Sequence, residues 1–332
     1  MFQFSKLEID LVLESSSAPG GFWGSRLRGG YGRVLKDGLC DHKEIPDCRD
    51  CPRLRDCDYP RLFEPVRTRD DALAADAPLK GKVHLPRAFV IDPPPGDARE
   101  YRRGDRLTFG FVSLGPMCHS IAYPVLAFER FEQTGAPDYN PQAARFRLAA
   151  VRDLLADGCS IFQAGKLGPA VTRDLAEFSR QARAWDGSSA LDVKFITPVS
   201  VVNKDSRERD PESGLTMFVD FYDLVYNLAN RIGGLWQLYG EGWPGQAGFF
   251  RWREQMLKAS RKIETTHREL EMVRTWGYSN RKHAGRPLGG FTGRMKFAGG
   301  FSPFKELLGI GEIVHVGNQT AFGLGRYVIG SS

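Results

Sequence analysis

The residues of this chain able to do chemistry are its histidines, its cysteines and one glycine-dense stretch near the C-terminus. Six histidines are present, His42, His84, His119, His267, His283 and His315, and imidazole is the side chain that exchanges protons near neutral pH. No His-Glu-x-x-His pair and no Walker A loop accompanies them, which removes the zincin proteases and the P-loop NTPases. Four cysteines follow the spacing Cys40-x7-Cys48-x2-Cys51-x5-Cys57. In a cytosolic protein, thiols so closely spaced read as a metal site rather than disulfides, with structural zinc the leading reading. An iron–sulfur cluster and unliganded thiols are the alternatives. Cys118 and Cys159 are isolated, and buried apolar cysteine is their default. The glycine-dense stretch, Gly309 to Tyr327, reads GIGEIVHVGNQTAFGLGRY. Gly323 and Gly325 lack a Cβ, so a backbone there can close on a phosphate or a base, and Phe322 at the loop centre could stack on one. A Rossmann site needs a further helix and strand, and only seven residues follow Gly325.

The elements that position these residues read as two similar halves. Phe2 to Leu13 alternates as a half-buried strand with one slip near Ser5. Ser25 to Lys36 reads as a helix capped by Ser25, carrying Arg26, Arg28 and Arg33 and weakened by Gly29, Gly30 and Gly32. Strands follow over Lys82–Asp92 and Arg99–Leu114, then a helix from Cys118 to Glu132 and a weaker strand from Phe146. Strand, helix, strand, strand, helix, strand is the order of a ferredoxin-like split βαβ unit, also the scaffold of RRM domains. Phe178 to Ser189 reads as a linker. The second half predicts a strand at Leu191–Val202, an apolar helix at Phe218–Tyr239 and a basic amphipathic helix at Gln246–Arg274. A hairpin around Gly289-Gly290, a short helix at Phe304–Leu308, a strand over EIVHVG and a last strand from Tyr327 follow. The expected fold is therefore α+β: two tandem ferredoxin-like (RRM-like) domains, 1–186 with a cysteine insertion at 40–57 and 190–332 ending in the glycine-rich loop, with an RNA-binding cleft between them.

Charge points the same way. The net charge is +6, but Arg251 to Lys296 alone holds twelve Lys/Arg against four Asp/Glu. That clustering is the electrostatic footprint of an RNA-binding face. Arg281, Lys282, Arg286, Arg294 and Lys296 on the expected hairpin, with Arg326 in the loop and Arg26 and Arg28 on the first helix, are the candidate RNA contacts. No apolar run reaches the ~18 residues of a membrane helix. The N-terminal run MFQFSKLEIDLVLESSS carries acids and is no signal peptide, so a cytoplasmic protein without membrane partners is expected.

The glycine-dense stretch resembles the C-terminal signature of the RAMP superfamily of CRISPR-associated proteins. The longer run YSNRKHAGRPLGGFTGRMKFAGGFSPFKELLGIGEIVHVGNQTAFGLGRY, from Tyr278, is similar to the C-terminal domain of the CRISPR precursor-RNA processing endoribonucleases. FWGSRLRGGYGRVLKDGLC resembles their first helix. The resemblance implies cleavage of CRISPR repeat RNA to crRNA without a catalytic metal or other cofactor. A base takes the 2′-hydroxyl proton, the 2′-oxygen attacks the adjacent phosphate, an acid protonates the leaving 5′-oxygen, and a cation balances the phosphorane. The products would be a 5′-hydroxyl and a 2′,3′-cyclic phosphate. By the same resemblance the catalytic histidine follows the first helix, which names His42 as base or acid, Lys36 or Lys43 as the cation and Tyr31 as a positioning group. His42 lies between Cys40 and Cys48, so a ligand role also stands open for it. His315 is the second candidate. The competing function is a non-catalytic RAMP subunit that binds guide RNA beside the other subunits of a CRISPR effector complex.

Overall fold

The computed structural model describes residues 2–331 apart from 16, 19–21, 67–78, 80–84, 95–99, 135–143, 164, 182, 184, 202–219, 242–244 and 280–283. The first half contains β1 (Gln3–Leu13), α1 (Trp23–Leu39), β2 (Phe89–Asp92), β3 (Arg106–Leu114), α2 (Ala122–Glu129) and β4 (Phe146–Asp153). These strands stand in the order β2-β3-β1-β4, every pair antiparallel, which is the ferredoxin-like arrangement. After a short helix α3 (Leu175–Arg180) come β5 (Ala190–Val199), α4 (Phe221–Tyr239), α5 (Gly245–Ser260), β6 (Glu264–Ser279), β7 (Ala284–Ala298), α6 (Lys305–Val314) and β8 (Tyr327–Ser331). Their order, β6-β7-β5-β8, repeats the first sheet's topology. Among the described residues no helix is long and apolar enough to cross a membrane.

The slip in β1 has a physical cause. Leu7, Ile9, Leu11 and Leu13 face α1 and pack with Trp23, Leu27, Tyr31, Phe111 and Phe128. Phe2 and Phe4 lie on the other face and join a core built mostly by the second half, with Phe2 edge-on to Trp236 and Phe4 edge-on to Phe178. One strand thus serves two cores, and its apolar parity changes where it passes from one to the other.

Several local expectations give way to tertiary pairing. The basic run after Ser260 is not helical: β6 pairs with β7 from Glu264↔Ala298 to Ser279↔Ala284. Its Glu, Arg and Lys residues favour helix in isolation, but an edge strand with polar faces tolerates them. Gly289-Gly290 sits within β7, opposite Arg274 and Val273, and is not the turn. EIVHVG is no strand either: α6 runs to Val314, burying Leu307, Leu308, Ile310, Gly311 and Val314 at helical spacing. Arg231 of α4 holds the end of α6 by donating its Nε–H to the Val314 carbonyl (2.6 Å). The first helix begins at Trp23 rather than at Ser25, with no side-chain cap, because its start is set by packing.

Candidate nucleic-acid interface and active site

Helix α1 organises the candidate residues. At its N-terminal end, a Cβ on Gly24 would meet the backbone carbonyl oxygen of Phe322, so the glycine lets the C-terminal loop lie directly on the helix. A Cβ on Gly32 would enter the Phe63 ring. Gly24 and Gly32 thus serve close packing of protein on protein. Arg26 and Arg33, seven residues apart, are half-exposed on one face, and Lys36 lies one turn beyond Arg33.

His42 follows the C-terminal end of α1. Its Nδ1 lies 3.2 Å from Glu44 Oε1. Nδ1–H donating to that carboxylate leaves the Nε2 lone pair as the basic face. Glu44 is held below its ordinary carboxylate pKa by its own backbone N–H, then by His42, with the charge of Lys36 contributing. Histidine, orienting carboxylate and lysine therefore form one cluster. Lys43 turns back and donates to the Asp37 carbonyl (2.9 Å). Glu44 was within reach of sequence reasoning, two residues from His42, and was missed.

The cysteine insertion borders this cluster. Cys40, Cys51 and Cys57 line one pocket together with Asp41, His42, Arg53, Asp56 and Asp58. Burial, then the nearby Glu64, Cys40 and Cys57, pushes the Cys48 thiol up to about 12. No residue from Asp41 to Asp58 is buried. Among the described residues, no three metal-binding side chains converge as a metal site.

Tyr31 is not in this cluster. It is fully buried among Phe63, Phe89, Phe111 and Phe128, and burial raises its hydroxyl well above the usual range. A residue of the helix's core-facing stripe cannot position RNA at the surface.

His315 occupies a different environment, in the junction between the two sheets' units. It caps α6 with φ 63° and is 0% exposed. Nε2 lies 2.7 Å from Asp92 of β2, and Nδ1 lies 3.1 Å from the Leu324 carbonyl. Both ring nitrogens face acceptors inside the protein, so neither is left open toward a ribose hydroxyl. Burial opposes the Asp92 charge, but His315, with Arg326 and Lys6 farther off, holds its carboxyl well below the usual range. Asp92 stands 223 positions away in sequence, and nothing local signals it.

The glycine-rich loop is packed in the same junction. Gly323 and Gly325 have φ of 85° and 81°. A Cβ on Gly323 would meet Pro93 and the Ile91 carbonyl, and one on Gly325 the Val316 carbonyl. Phe322 is buried with Phe22, Leu288 and Leu324, and Arg28 lies between the rings of Phe322 (4.3 Å) and Phe63 (4.5 Å). Arg28 and Phe322 are thus stacked on each other. Half-buried Arg326 donates its backbone N–H to Thr197 Oγ1 (2.9 Å).

Arg294 and Lys296 stand on the face of the second sheet away from the helices, opposite Lys194 and Asp192 of β5. Arg294 is paired with the buried Asp192 carboxylate. Arg281 and Lys282 lie outside the described residues, and Arg286 is described only in its backbone pairing with Gly277. The structure therefore brings His42 together with Lys36 and Glu44, and His315 together with the glycine loop. It separates the two groups by the length of α1, 17 residues or about 25 Å.

The family model of the CRISPR-associated endoribonuclease Cas6 matches residues 193–327, and a model of an N-terminal domain, AF_1859_N, matches residues 2–174. Comparison with curated proteins finds no match. Among solved structures, a Cas6 product complex is similar at 17% identity, covering 99% of this chain and 100% of that one, with a TM-score of 0.55. A partial Cas6–RT–Cas1–Cas2 complex is similar at 14% identity and a TM-score of 0.56, with all of this chain covering 46% of that chain. These likenesses concern the fold and agree with the paired ferredoxin-like topology. Residues 193–327 therefore carry a domain of the CRISPR-associated endoribonuclease Cas6 family, joined to an N-terminal domain of the AF_1859_N type.

Proposed function

We propose that this chain cuts CRISPR repeat RNA by metal-independent attack of a ribose 2′-hydroxyl, with His42 as the base. The observation that carries the reading is the His42–Glu44 pair with Lys36 beside it at the end of α1. Nε2 takes the 2′-hydroxyl proton while Glu44 orients the ring and stabilises the imidazolium. The 2′-oxygen bonds to phosphorus, the P–O5′ bond breaks, and Lys36 balances the charge of the phosphorane. The 5′-oxygen takes its proton from water as it leaves, and the protonated His42 returns its own proton to solvent, giving a 5′-hydroxyl and a 2′,3′-cyclic phosphate. Arg26 and Arg33 supply phosphate contacts along α1 toward the glycine loop, which shapes the junction from inside.

Repeat RNA and product crRNA are the proposed partners, and the likeness to a Cas6–RT–Cas1–Cas2 complex supports placing other CRISPR proteins beside it. A zinc ion closing the cysteine insertion is part of the same proposal, as a structural ion that draws the four thiols together. What supports it is an insertion without buried residues in which three of the four cysteines, Cys40, Cys51 and Cys57, border one pocket. The deciding experiment incubates the protein with labelled repeat RNA, with and without EDTA. Cleavage in EDTA that leaves a cyclic phosphate is expected, and a substrate lacking the 2′-hydroxyl at the scissile nucleotide should bind and stay whole. Cleavage of that analogue would sink the mechanism.

A further inference from the structure

The end of the first sheet that carries the start of α1 gathers arginine. The last residues of β1 hold the turn 102–105 on one side and the approach to β4 on the other. Gly104 donates its N–H to the Leu13 carbonyl (2.8 Å), Leu13 donates to the Asp105 carbonyl (3.0 Å), and Glu14 donates to the Arg145 carbonyl (2.8 Å). Strands lie about 5 Å apart, so the turn and Arg145 stand about 10 Å from each other across β1. Trp23, the first residue of α1, packs edge-on to Tyr101 (5.3 Å) and Phe146 (5.6 Å), the chain neighbours of Arg102 and Arg145. The helix therefore starts between the two groups of arginines.

Several arginines at this end are already engaged. Arg106 pairs with Asp10, Arg152 with Asp10 and Glu8, and Arg147 with Glu14. Asp105 accepts the backbone N–H of Arg102 (2.9 Å). Arg102, Arg103 and Arg145 are different: all three are exposed, and none forms an ion pair with a described residue. Among the described residues beside them, Glu100 is the one acid likewise left over, and the first turn of α1 carries none. Three guanidinium groups against one carboxylate leave an excess of positive charge. Guanidinium is always charged and presents a planar fork of donors, which suits it to phosphate. Three of them spread over about 10 Å exceed the span of one phosphate and match a chain of phosphates. His42 lies past the other end of α1, 17 residues or about 25 Å away. At ~3.4 Å per stacked nucleotide, that distance is roughly seven nucleotides.

We infer that Arg102, Arg103 and Arg145 bind the phosphate backbone of the RNA at the start of α1, roughly seven nucleotides from the phosphate that is cut. The inference rests on the proposed function and adds to it a feature of the substrate. RNA that reaches the length of α1 beyond the scissile phosphate is held more tightly than RNA that stops short. Phosphate contacts carry no sequence information, so this one is indifferent to the bases.

The test measures affinity for repeat RNA made uncleavable by a 2′-deoxy group at the scissile nucleotide, over a series of salt concentrations. With all three arginines changed to Ala, log affinity against log salt should be shallower by about 2, three contacts at ~0.7 each on a single strand. The two lines should meet near ~1 M salt and stand about 100-fold apart at ~0.1 M. Arg103→Ala alone should be shallower by about 0.7. Changing all three to Lys should keep the wild-type slope, because the charges are kept. On RNA trimmed to about four nucleotides either side of the scissile phosphate, short of the ~3.4 Å per nucleotide reach, wild type and the triple Ala variant should bind alike. A matched control, Arg251→Ala with Lys258→Ala and Lys262→Ala, removes the same charge from exposed positions on α5 and just past it. Its slope should stay at the wild-type value. A wild-type slope in the triple Ala variant overturns the inference, and so does an equal loss in the control, which would make the effect one of net charge. Failure of the wild type to cut cleavable RNA overturns the proposed reaction alone, since the slopes are read on uncleavable RNA. A wild type that binds no repeat RNA overturns both.

Discussion

Histidine chemistry in this protein is decided by what each ring nitrogen faces. His42 has one nitrogen on Glu44 and one free to accept a proton, whereas His315 has both nitrogens committed to acceptors. His42→Ala should therefore lower the cleavage rate at saturating RNA by on the order of 10²-fold or more, the usual worth of a general base, with affinity unchanged. Glu44→Ala should lower the same rate by less, since it removes only the orienting partner. Single-turnover rates alongside equilibrium binding check both. A wild-type rate for His42→Ala would move the active site elsewhere. His315→Ala should instead lose stability, because it leaves Asp92 charged, buried and unpaired.

At the scale of elements, α1 and the glycine-rich loop are one packing unit. Gly24→Ala would drive a methyl into the Phe322 carbonyl, and Gly325→Ala would add a Cβ where φ is 81° and the Val316 carbonyl is in the way. Each should cost about 1–3 kcal/mol of stability, the range for overpacking and for strained backbone, measured by denaturant unfolding. Weaker RNA binding would follow from the displaced loop and not from a lost backbone contact. The cysteine insertion is a second such element. Cys51→Ser should reduce stability and zinc content, about one ion per chain by elemental analysis, more than it changes per-molecule activity. Loss of all activity in a folded Cys51→Ser protein would refute a purely structural role.

The whole molecule behaves as one body because its largest core is shared. Phe2, Phe4, Val90, Val112 and Leu114 from the first half pack with Leu191, Leu228 and Tyr327 from the second. Phe4→Ala should cost about 3–5 kcal/mol, and thermal unfolding should remain a single transition. Asp92 and His315 cross the same junction and give it a pH dependence. The folded-state pKa of Asp92 is depressed, so its stabilisation is present above the ordinary carboxylate range near ~4 and is lost as pH falls below it. Asp92→Asn should destabilise the protein by about 3–5 kcal/mol at neutral pH. It should also flatten the fall in melting temperature below that range, and an unaltered acid limb would show that the pair does not latch the halves.

Much of this was legible in the residues. The doubled strand–helix order follows from periodicity, which is local. His42 after the first helix and the four closely spaced thiols are local features too. The sequence alone also carried the basic excess of the second half and the family signature at its end. What tertiary structure decided were the matters that depend on residues far apart in the chain. The helical signal of the basic run yielded to pairing along β6 and β7, because backbone hydrogen bonds to a neighbouring strand outweigh intrinsic propensity. Tyr31 went to the core and Arg28 to Phe322 because buried area is settled only when helix, sheet and loop meet. The contact of His315 with Asp92 joins positions 223 apart. No local pattern encodes such a pair, since its partners become neighbours only when two folded halves close on one another.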